Sequence, residues 1–330
     1  MTATKRVGMV EVAVRAGVSV ATVSHVVNGS RSVRPETKLR VTQAMIDLGY
    51  VRNGTARQLK LGRSNTVGAI VLDMSNPYFT ELARGIEDRL NQDNGTLILT
   101  SSDEDADREA RLLDLLAEQG VRGIVITPSR GSTVQVKHLR RLGLPVVVMA
   151  SDQLGLDLPT VGLDDVAGGR LALAHLIERG HRVIGFINDS HDLPHCAARS
   201  RGALEAVAAS DRQVQLVEVV IEEHGSAGGE RAMQKLLDQQ PRVTAAFCYN
   251  DITALGAMRA VRKAGLTVPD DVAVLGYDDV YFAAELTVPL SSVRQPNRQM
   301  GWAAAEILMN PPLQTPHLVF QPELIIREST

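Results

Sequence analysis

The stretch AGVSVATVSHVVNG, residues 16–29, decides how the first part of this chain folds. Val23, Val26 and Val27 stand at helical spacing and form one apolar stripe. The other positions carry small hydroxyls, an amide and an imidazole, where a surface helix usually carries long charged side chains. The free face of the predicted helix is therefore small and polar, which suits insertion into a confined polar groove.

Two further short helices are predicted around this one. Gly17 allows a tight reversal after the first helix, and Ser19 is a good N-cap for the second. Pro35 starts the third helix and Gly49 ends it. Their apolar sides are formed by Val10, Val12, Ala13 and Ala16 in the first helix, and by Leu39, Val41, Ala44, Met45 and Leu48 in the third. Residues 1–50 are thus predicted to form a helix-turn-helix domain.

Charge is distributed very unevenly along the chain. Residues 1–65 carry eleven Lys and Arg against three acids, a net charge of +8. The remaining 265 residues carry 24 basic and 35 acidic groups, a net charge of −11. A small basic head on an acidic body indicates a head that meets a polyanion. An ordinary three-helix bundle with a solvated charged face is the alternative.

The second helix has the side chains that a major groove about 12 Å wide admits. Its hydroxyl and amide groups can donate to phosphate oxygens, and His25 can reach a base or a phosphate. The two small residues at its start offer only apolar contact, for instance to a thymine methyl group. The candidate DNA-contacting residues of this helix are Val20, Ala21, Thr22, Ser24, His25 and Asn28.

Residues 10–66 resemble the head of the LacI/GalR family of bacterial transcription regulators. The resemblance rests on the stretches EVAVRAGVSVATVSHVVNG, RPETKLRVTQAMIDLGYVRN and ARQLKLGRSNTVG, in that order. It implies that Val20, Ala21 and His25 read bases. It also implies that residues 51–65 contain a hinge helix which orders on operator DNA and enters the minor groove.

In that hinge, the resemblance implies that Leu59 wedges between base pairs. Ala56 is small enough for two hinges to pair closely, and Lys60 is a further candidate DNA contact. An isolated helix of about eight residues is not stable in water, so the hinge is expected to act as a switch. The alternative is that Leu59 belongs to a linker and packs on the core.

From residue 66 onward, short apolar runs alternate with helical patterns. The predicted strands are TVGAIVLD, TLILTSS, VRGIVITP, PVVVMA, RVIGFI, LVEVVI, VTAAFC and DVAVLGYD, with helices near 78–93, 104–119 and 132–142 among them. Such alternation predicts parallel sheets covered on both faces. Two blocks of it predict two α/β subdomains with a cleft between them.

The resemblance extends over essentially the whole chain and implies a periplasmic-binding-protein-like body over residues 66–330. The N-subdomain is expected to comprise about 66–163 and 295–322. The C-subdomain is expected to comprise about 164–294 and 323–330. The chain would then cross between the subdomains near 164 and 294 and return near 323.

Ligands of open α/β sheets collect beyond the carboxyl ends of the strands. The candidate effector-binding residues there are Asp73, Tyr78, Phe79, Ser101, Thr127, Asn188, Arg199, Asn250 and Asp278. Three of them, Arg199, Asn250 and Asp278, match effector-contacting positions of the family. Arginine and aspartate together suit the paired hydroxyls of a sugar or a nucleoside. The structural alternatives are that Asp278 caps a turn and that Arg199 pairs with a surface acid.

The cleft also departs from the family pattern. Gly225 and Ala150 stand where many members carry an aromatic ring and an aspartate. A larger ligand, such as an oligosaccharide, could use the space that Gly225 leaves.

The sequence gives little sign of enzyme chemistry. It lacks GxGxxG after the first strand of the body, GxSxG and GxxxxGK[ST]. HDLPHC, residues 191–196, clusters two histidines and a cysteine, but a polar loop at the mouth of the cleft is preferred to a metal site. No metal or cofactor is expected. Cys196 and Cys248 are expected to be buried in a reduced, cytoplasmic protein.

The sequence therefore predicts a cytoplasmic transcription regulator that acts as a repressor. It would bind a palindromic operator as a homodimer and respond to a small sugar-like or nucleoside-like effector. One alternative is a regulator of the same fold that a protein coregulator controls, with a vestigial cleft. Another is a solute-binding protein, which is disfavoured because it would need a signal peptide and would lack a head such as residues 1–65. No apolar run is long enough to cross a membrane, so no transmembrane helix is expected.

Overall fold

The computed structural model describes residues 7–28, 31–50, 64–129, 143–150 and 158–330. The chain divides into two compact units, Met1–Arg63 and Ser64–Thr330, here called the head and the body. The predicted helix near 132–142 and the predicted hinge over 51–63 lie outside the described residues.

The head contains three helices, α1 (Met9–Ala16), α2 (Val20–Asn28) and α3 (Pro35–Asp47). Gly17 adopts a left-handed conformation with φ of 63° and turns the chain between α1 and α2. The Ser19 hydroxyl accepts a hydrogen bond from the backbone N–H of Thr22 at 3.1 Å, which caps α2. The core of the head consists of Val12, Ala13, Ala16, Val23, Val27, Val41 and Ala44. The predicted helix-turn-helix domain is confirmed.

The apolar core of the head is narrower than the sequence predicted. Val10 and Leu39 are 60% and 70% exposed, although both belong to predicted apolar stripes. Three short helices cover only the residues that face their common axis, so apolar positions at the stripe edges stay in solvent.

The N-terminus of α1 is capped by a side chain of the helix itself. The Glu11 carboxylate accepts a hydrogen bond from the backbone N–H of Gly8 at 3.0 Å.

Among the described residues, no single helix is long and apolar enough to cross a membrane. Helices α1 and α2 reach that length and composition only when they are taken together, across a bend of 105°. Both helices bury their apolar sides in the core of the head.

The N-subdomain of the body is a six-stranded sheet with helices on both faces. Its elements are β1 (Thr66–Val71), α4 (Pro77–Asn91), β2 (Thr96–Ser101), α5 (Ala106–Glu118), β3 (Ile124–Ile126), β4 (Val146–Met149), β5 (Thr160–Leu163), α10 (Asn297–Met309) and β11 (His317–Phe320). The strand order is β11-β5-β4-β3-β1-β2, and all the pairs are parallel. The four residues of β4 and the four of β5 are all buried, as expected of a doubly covered parallel sheet.

The C-subdomain repeats this architecture. Its elements are α6 (Asp165–Glu178), β6 (Val183–Asn188), α7 (Pro194–Ala208), β7 (Gln215–Val220), α8 (Gly225–Leu237), β8 (Ala245–Cys248), α9 (Asp251–Lys263), β9 (Ala273–Asp278), β10 (Ser291–Arg294) and β12 (Glu323–Ile325). The strand order is β12-β10-β9-β8-β6-β7, and only β12 runs antiparallel to its neighbour. The predicted α/β fold class is confirmed.

The chain passes between the two subdomains three times in the body. It leaves the first sheet between β5 and α6, returns between β10 and α10, and crosses again between β11 and β12. Each subdomain is therefore built from separate segments of the chain. Leu163, at the end of β5, and Gln295, directly after β10, both lie at the cleft.

Three helix pairs in the body pack backbone against backbone, and each pair has glycine on both helices. The pairs are Gly85 and Gly301 in α4 and α10, Gly169 and Gly202 in α6 and α7, and Gly229 and Gly256 in α8 and α9. A Cβ atom at Gly85 would lie 2.0 Å from the Arg298 carbonyl oxygen, and one at Gly202 would lie 1.9 Å from that of Val166. Only glycine fits such crossings without moving a helix.

We expect Gly85→Ala to lower the free energy of unfolding of the body by about 2–4 kcal/mol, because the new methyl group forces α4 and α10 apart. Trp302 is the single tryptophan of the chain and lies on α10 at this contact, so its fluorescence during urea unfolding reports the change directly. The control is Glu81→Ala at an exposed position of α4, with an expected effect within about 0.5 kcal/mol. Equal stability of the two variants would contradict the packing argument.

Candidate functional site

A cavity of about 140 Å³ lies in the cleft between the two subdomains of the body. Its walls come from loops that follow the carboxyl ends of strands in both sheets. Seven of the nine predicted effector-binding residues line it: Asp73, Tyr78, Phe79, Thr127, Arg199, Asn250 and Asp278.

The other two predicted residues are not among the residues that line the cavity. The Ser101 hydroxyl donates to the Leu72 carbonyl oxygen at 3.2 Å and lies 2.5 Å from the Asp103 carboxylate, within the N-subdomain. The Asn188 amide donates to Glu218 at 2.7 Å, within the C-subdomain. Both residues end a strand, Ser101 in β2 and Asn188 in β6, but the side chain of each bonds within its own subdomain.

Arg199 lies in a buried cluster at the base of the cleft. Its Nε donates to the Asp165 carboxylate at 2.8 Å, and its Nη1 donates to the Tyr249 carbonyl oxygen at 2.6 Å. The guanidinium carbon lies 3.6 Å from the centre of the Tyr277 ring. Burial disfavours the charge, but Asp165 and Tyr277 outweigh that effect and raise the pKa of Arg199. Arg199 thus pairs with a buried acid and stays charged.

Asp278 connects the two subdomains. One carboxylate oxygen accepts from the Asn76 amide of the N-subdomain at 3.3 Å, and the other accepts from Gln295, at a crossing, at 2.7 Å. Burial raises the pKa of Asp278 to about 6, although Arg199 and the two amides oppose the shift. This carboxyl group can therefore change its protonation state near neutral pH.

Further polar side chains at the cavity have hydrogen-bonding capacity to offer a ligand. Oγ1 of Thr127 is buried and has no hydrogen-bond partner within the described part of the chain. Oδ1 of Asn250 accepts from the backbone N–H of Thr253 at 2.8 Å, which leaves its amide nitrogen to donate. Burial raises the pKa of Tyr78, so its hydroxyl remains protonated. A ligand with several hydroxyl groups can satisfy such donors and acceptors together.

Sequence reasoning missed several residues that line the cavity. They are Asn76, Glu104, Asp165, His224, Tyr249 and Gln295, whereas His195 belongs to the segment HDLPHC that was expected at the mouth of the cleft. Asn76 is the N-cap of α4, since its side chain accepts from the Tyr78 N–H, and that role was readable from the sequence NPYF. Its bond to Asp278 was not readable, because 202 residues separate the two.

The two departures from the family pattern both lie at the cavity. Gly225 and Ala150 line it, and a Cβ atom at Gly225 would meet nothing within 4 Å. Gly225 has φ of 81°, a conformation that side chains other than glycine adopt at a cost. The described cavity is close to the roughly 150 Å³ that holds a benzene ring in an engineered protein core. It thus matches one small ring better than an oligosaccharide.

The histidines and cysteine of HDLPHC diverge in the structure. His191 contacts the Glu218 carboxylate at 2.9 Å, His195 lines the cavity, and Cys196 is fully buried in the core. Burial raises the pKa of the Cys196 thiol, which keeps it protonated. These three side chains do not converge on one point.

In the head, the predicted DNA-contacting residues lie along α2. Val20 is 44% exposed, Ala21 is exposed, and Thr22, Ser24 and His25 are half-buried. The Thr22 hydroxyl lies 2.9 Å from the Ser19 hydroxyl. The side chain of Asn28, and the predicted contacts Ala56, Leu59 and Lys60, lie outside the described residues.

A helix-turn-helix head and a two-subdomain body with a polar cleft define the class of ligand-responsive, periplasmic-binding-protein-like regulators. Residues 8–53 match the model of bacterial regulatory proteins of the lacI family, and residues 173–330 match that of the periplasmic binding protein-like domain. The chain belongs to the LacI family of bacterial regulatory proteins. It is therefore a DNA-binding regulator of transcription and not an enzyme.

Relatives match over nearly the full length. The HTH-type transcriptional repressor PurR of Aliivibrio salmonicida is 32% identical over 327 residues, which cover 97% of each chain. The ribose operon repressor of Haemophilus influenzae is 34% identical over 327 residues, which cover 97% of this chain and 98% of that one. A solved complex of the transcriptional regulator CelR with cellobiose is 31% identical and covers 98% of this chain and 100% of that chain, with a TM-score of 0.72.

We expect the free energy of unfolding of the body to depend on pH through the buried carboxyl group of Asp278. Its folded pKa of about 6 lies above the usual value of about 3.9, so the folded state holds this proton more tightly. Ionisation of Asp278 therefore costs stability as pH rises from about 4 through 6. Compared with Asp278→Asn, the wild type should lose about 2–3 kcal/mol between pH 4 and 7, measured by urea unfolding.

Asp271 provides a control of opposite sign. It is exposed, and hydrogen bonds from the Thr267 hydroxyl and backbone lower its pKa. The wild type should therefore gain stability over Asp271→Asn as pH rises. A difference between wild type and Asp278→Asn that stays constant with pH would rule out the titration of Asp278.

Proposed function

We propose that this protein is a cytoplasmic repressor that binds a palindromic operator as a homodimer and responds to a small neutral sugar in the cleft. One observation carries the effector part of the proposal. Asp278 accepts from Asn76 in one subdomain and from Gln295 at a crossing, beside a cavity that Arg199 also lines. A ligand that engages this carboxylate acts on both subdomains, and its preference for one arrangement can be transmitted to DNA binding.

The operator part of the proposal is supported by the charge and by α2. A net charge of +8 on residues 1–65 attracts the phosphate backbone. One recognition helix per chain favours a dimer, since two helices grip two half-sites of a palindrome. PurR and the ribose operon repressor, the two relatives from Aliivibrio salmonicida and Haemophilus influenzae, are both called repressors. This favours repression over activation for this chain.

The charges at the cavity favour a neutral effector over an anionic one. Four carboxylates line it, from Asp73, Glu104, Asp165 and Asp278. The Arg199 guanidinium is already held by Asp165 and the Tyr249 carbonyl. A phosphorylated sugar or a nucleotide would bring its charge toward acids, which is unfavourable in a partly desolvated site. Neutral hydroxyl groups bond to carboxylates without that cost.

The aromatic residues favour a sugar over a flat base. The Tyr78 and Phe79 rings meet edge to face, with centroids 4.9 Å apart and planes at 84°. They do not form a pair of parallel faces that would sandwich a base. The ribose and cellobiose named for the two sugar-related relatives are consistent with this choice. The small volume of the cavity favours a single ring, so we propose a monosaccharide.

Isothermal titration of the full-length protein with a panel of neutral monosaccharides tests the effector proposal. We expect Thr127→Val to weaken binding about threefold to tenfold, because it removes one neutral hydrogen bond. Asp278→Asn should weaken it about tenfold to a hundredfold, because it removes a charged acceptor. The control is Ser101→Ala, which changes a residue bonded within the N-subdomain, and its affinity should match that of the wild type.

If none of these sugars binds while operator binding persists, the effector proposal is wrong. Control by a protein coregulator, with a vestigial cleft, then becomes the better explanation. If the sugar binds with equal affinity in wild type, Thr127→Val and Asp278→Asn, the ligand occupies another place and the assigned site is wrong.

Selection of operator sequences from a random DNA pool tests base reading by the head. We expect His25→Ala to relax the preference at one base pair per half-site, at about 1–3 kcal/mol for a lost specific contact. Ser24→Ala is the matched control, because loss of a phosphate contact should weaken all sequences equally. An unchanged selected operator for His25→Ala would assign His25 to the phosphate backbone.

A further inference from the structure

Three side chains meet at the rim of the cleft. Glu104 belongs to the N-subdomain, in the loop between β2 and α5, whereas Asp189 follows β6 and His224 directly precedes α8 in the C-subdomain. Nδ1 of His224 lies 3.4 Å from Oε1 of Glu104 and 3.3 Å from Oδ2 of Asp189. The ligand atoms of all three residues lie within 4.8 Å of one another.

These distances distinguish between two interpretations of the cluster. A charge-assisted hydrogen bond from an imidazolium to a carboxylate measures about 2.7–2.9 Å, so both separations are long for a proton held between them. In tetrahedral coordination with bonds of about 2.0–2.1 Å, neighbouring ligand atoms lie about 3.3–3.4 Å apart. The two separations measured from His224 match edges of that tetrahedron, and the third pair of ligand atoms lies within 4.8 Å.

We propose that Glu104, Asp189 and His224 form a binding site for a divalent cation of the zinc class. Two carboxylates and one neutral imidazole balance a charge of +2 and are ligands that zinc accepts. The Asp189 carboxylate is held in place, because its other oxygen accepts from the backbone N–H of Ser190 at 2.5 Å. Asp189 is almost fully buried, while His224 is half exposed, so an ion can enter from the solvent side.

The site joins the two subdomains. With Glu104 on one side and Asp189 and His224 on the other, a bound cation would favour the arrangement in which these residues meet. Three protein ligands leave a fourth position open, and Glu104 and His224 both line the cavity. A sugar hydroxyl can take that position, which would make the cation and the sugar cooperative ligands. This last step rests on the proposed function, whereas the cation site does not.

Calorimetric titration of the chelator-treated full-length protein with zinc chloride, without sugar or DNA, tests the site. We expect about one ion per chain with micromolar affinity. Glu104→Gln and His224→Ala should each weaken binding at least tenfold. Cobalt(II) should give the visible absorption bands of tetrahedral coordination in the wild type, and His224→Ala should abolish them. Circular dichroism of each variant establishes that the fold is retained.

His191→Ala is the matched control, since His191 also contacts a carboxylate, Glu218, but outside this cluster. It should bind zinc as the wild type does. Equal zinc affinity in wild type and His224→Ala, or only millimolar binding in the wild type, would overturn the proposal. A sugar affinity that is the same with and without zinc would overturn the cooperative step alone, since the zinc titration without sugar decides the cation site. Sugar titrated without zinc tests the effector proposal separately.

Discussion

The body depends on how a buried positive charge is held at the base of the cleft. Arg199 has no solvent to stabilise it, so Asp165, the Tyr249 carbonyl oxygen and the face of the Tyr277 ring do so together. These partners come from α6, from the end of β8 and from β9, and the arginine comes from α7. A buried ion pair that loses one member leaves an uncompensated charge, which costs about 3–5 kcal/mol. The same positive charge lowers the pKa of the neighbouring Asp278 and so opposes the effect of burial. Asp278 in turn accepts a hydrogen bond from the other subdomain.

Local patterns in the sequence predicted most of the strands of this fold, but the short strands β5, β10, β11 and β12 were not among the predicted runs. All eight apolar runs proposed as strands contain a strand, and Gly17 and Ser19 mark the turn of the head as their chemistry requires. In the head, Val10 and Leu39 were predicted to be buried because of their helical spacing. Both are exposed, because three short helices are too small to cover the full width of their apolar stripes. Periodicity describes one helix at a time, whereas burial depends on its neighbours.

The candidate site was predictable in part from residues that end a strand or come directly after one, whereas Arg199, in α7, was found through the family resemblance. That rule found Thr127, Asn250 and Asp278, but it also selected Ser101 and Asn188, which bond within their own subdomains. Which way such a side chain turns depends on partners that are distant in sequence. Gln295 and His224 were missed although each adjoins a position that the resemblance had placed at the cleft, since Gln295 follows the crossing near 294 and His224 precedes Gly225.

The three crossings between subdomains have a consequence for the order in which the subdomains can fold during synthesis. Helix α4 is complete at Asn91, but α10, which covers its glycine face, begins only at Asn297. A ribosome adding about 5–20 residues per second needs roughly 10–40 s to bridge that interval. During this time the C-subdomain can assemble most of its sheet, while the face of α4 that α10 will cover remains exposed. Nascent chains should therefore be most vulnerable to proteases and most dependent on chaperones at the uncovered face of α4.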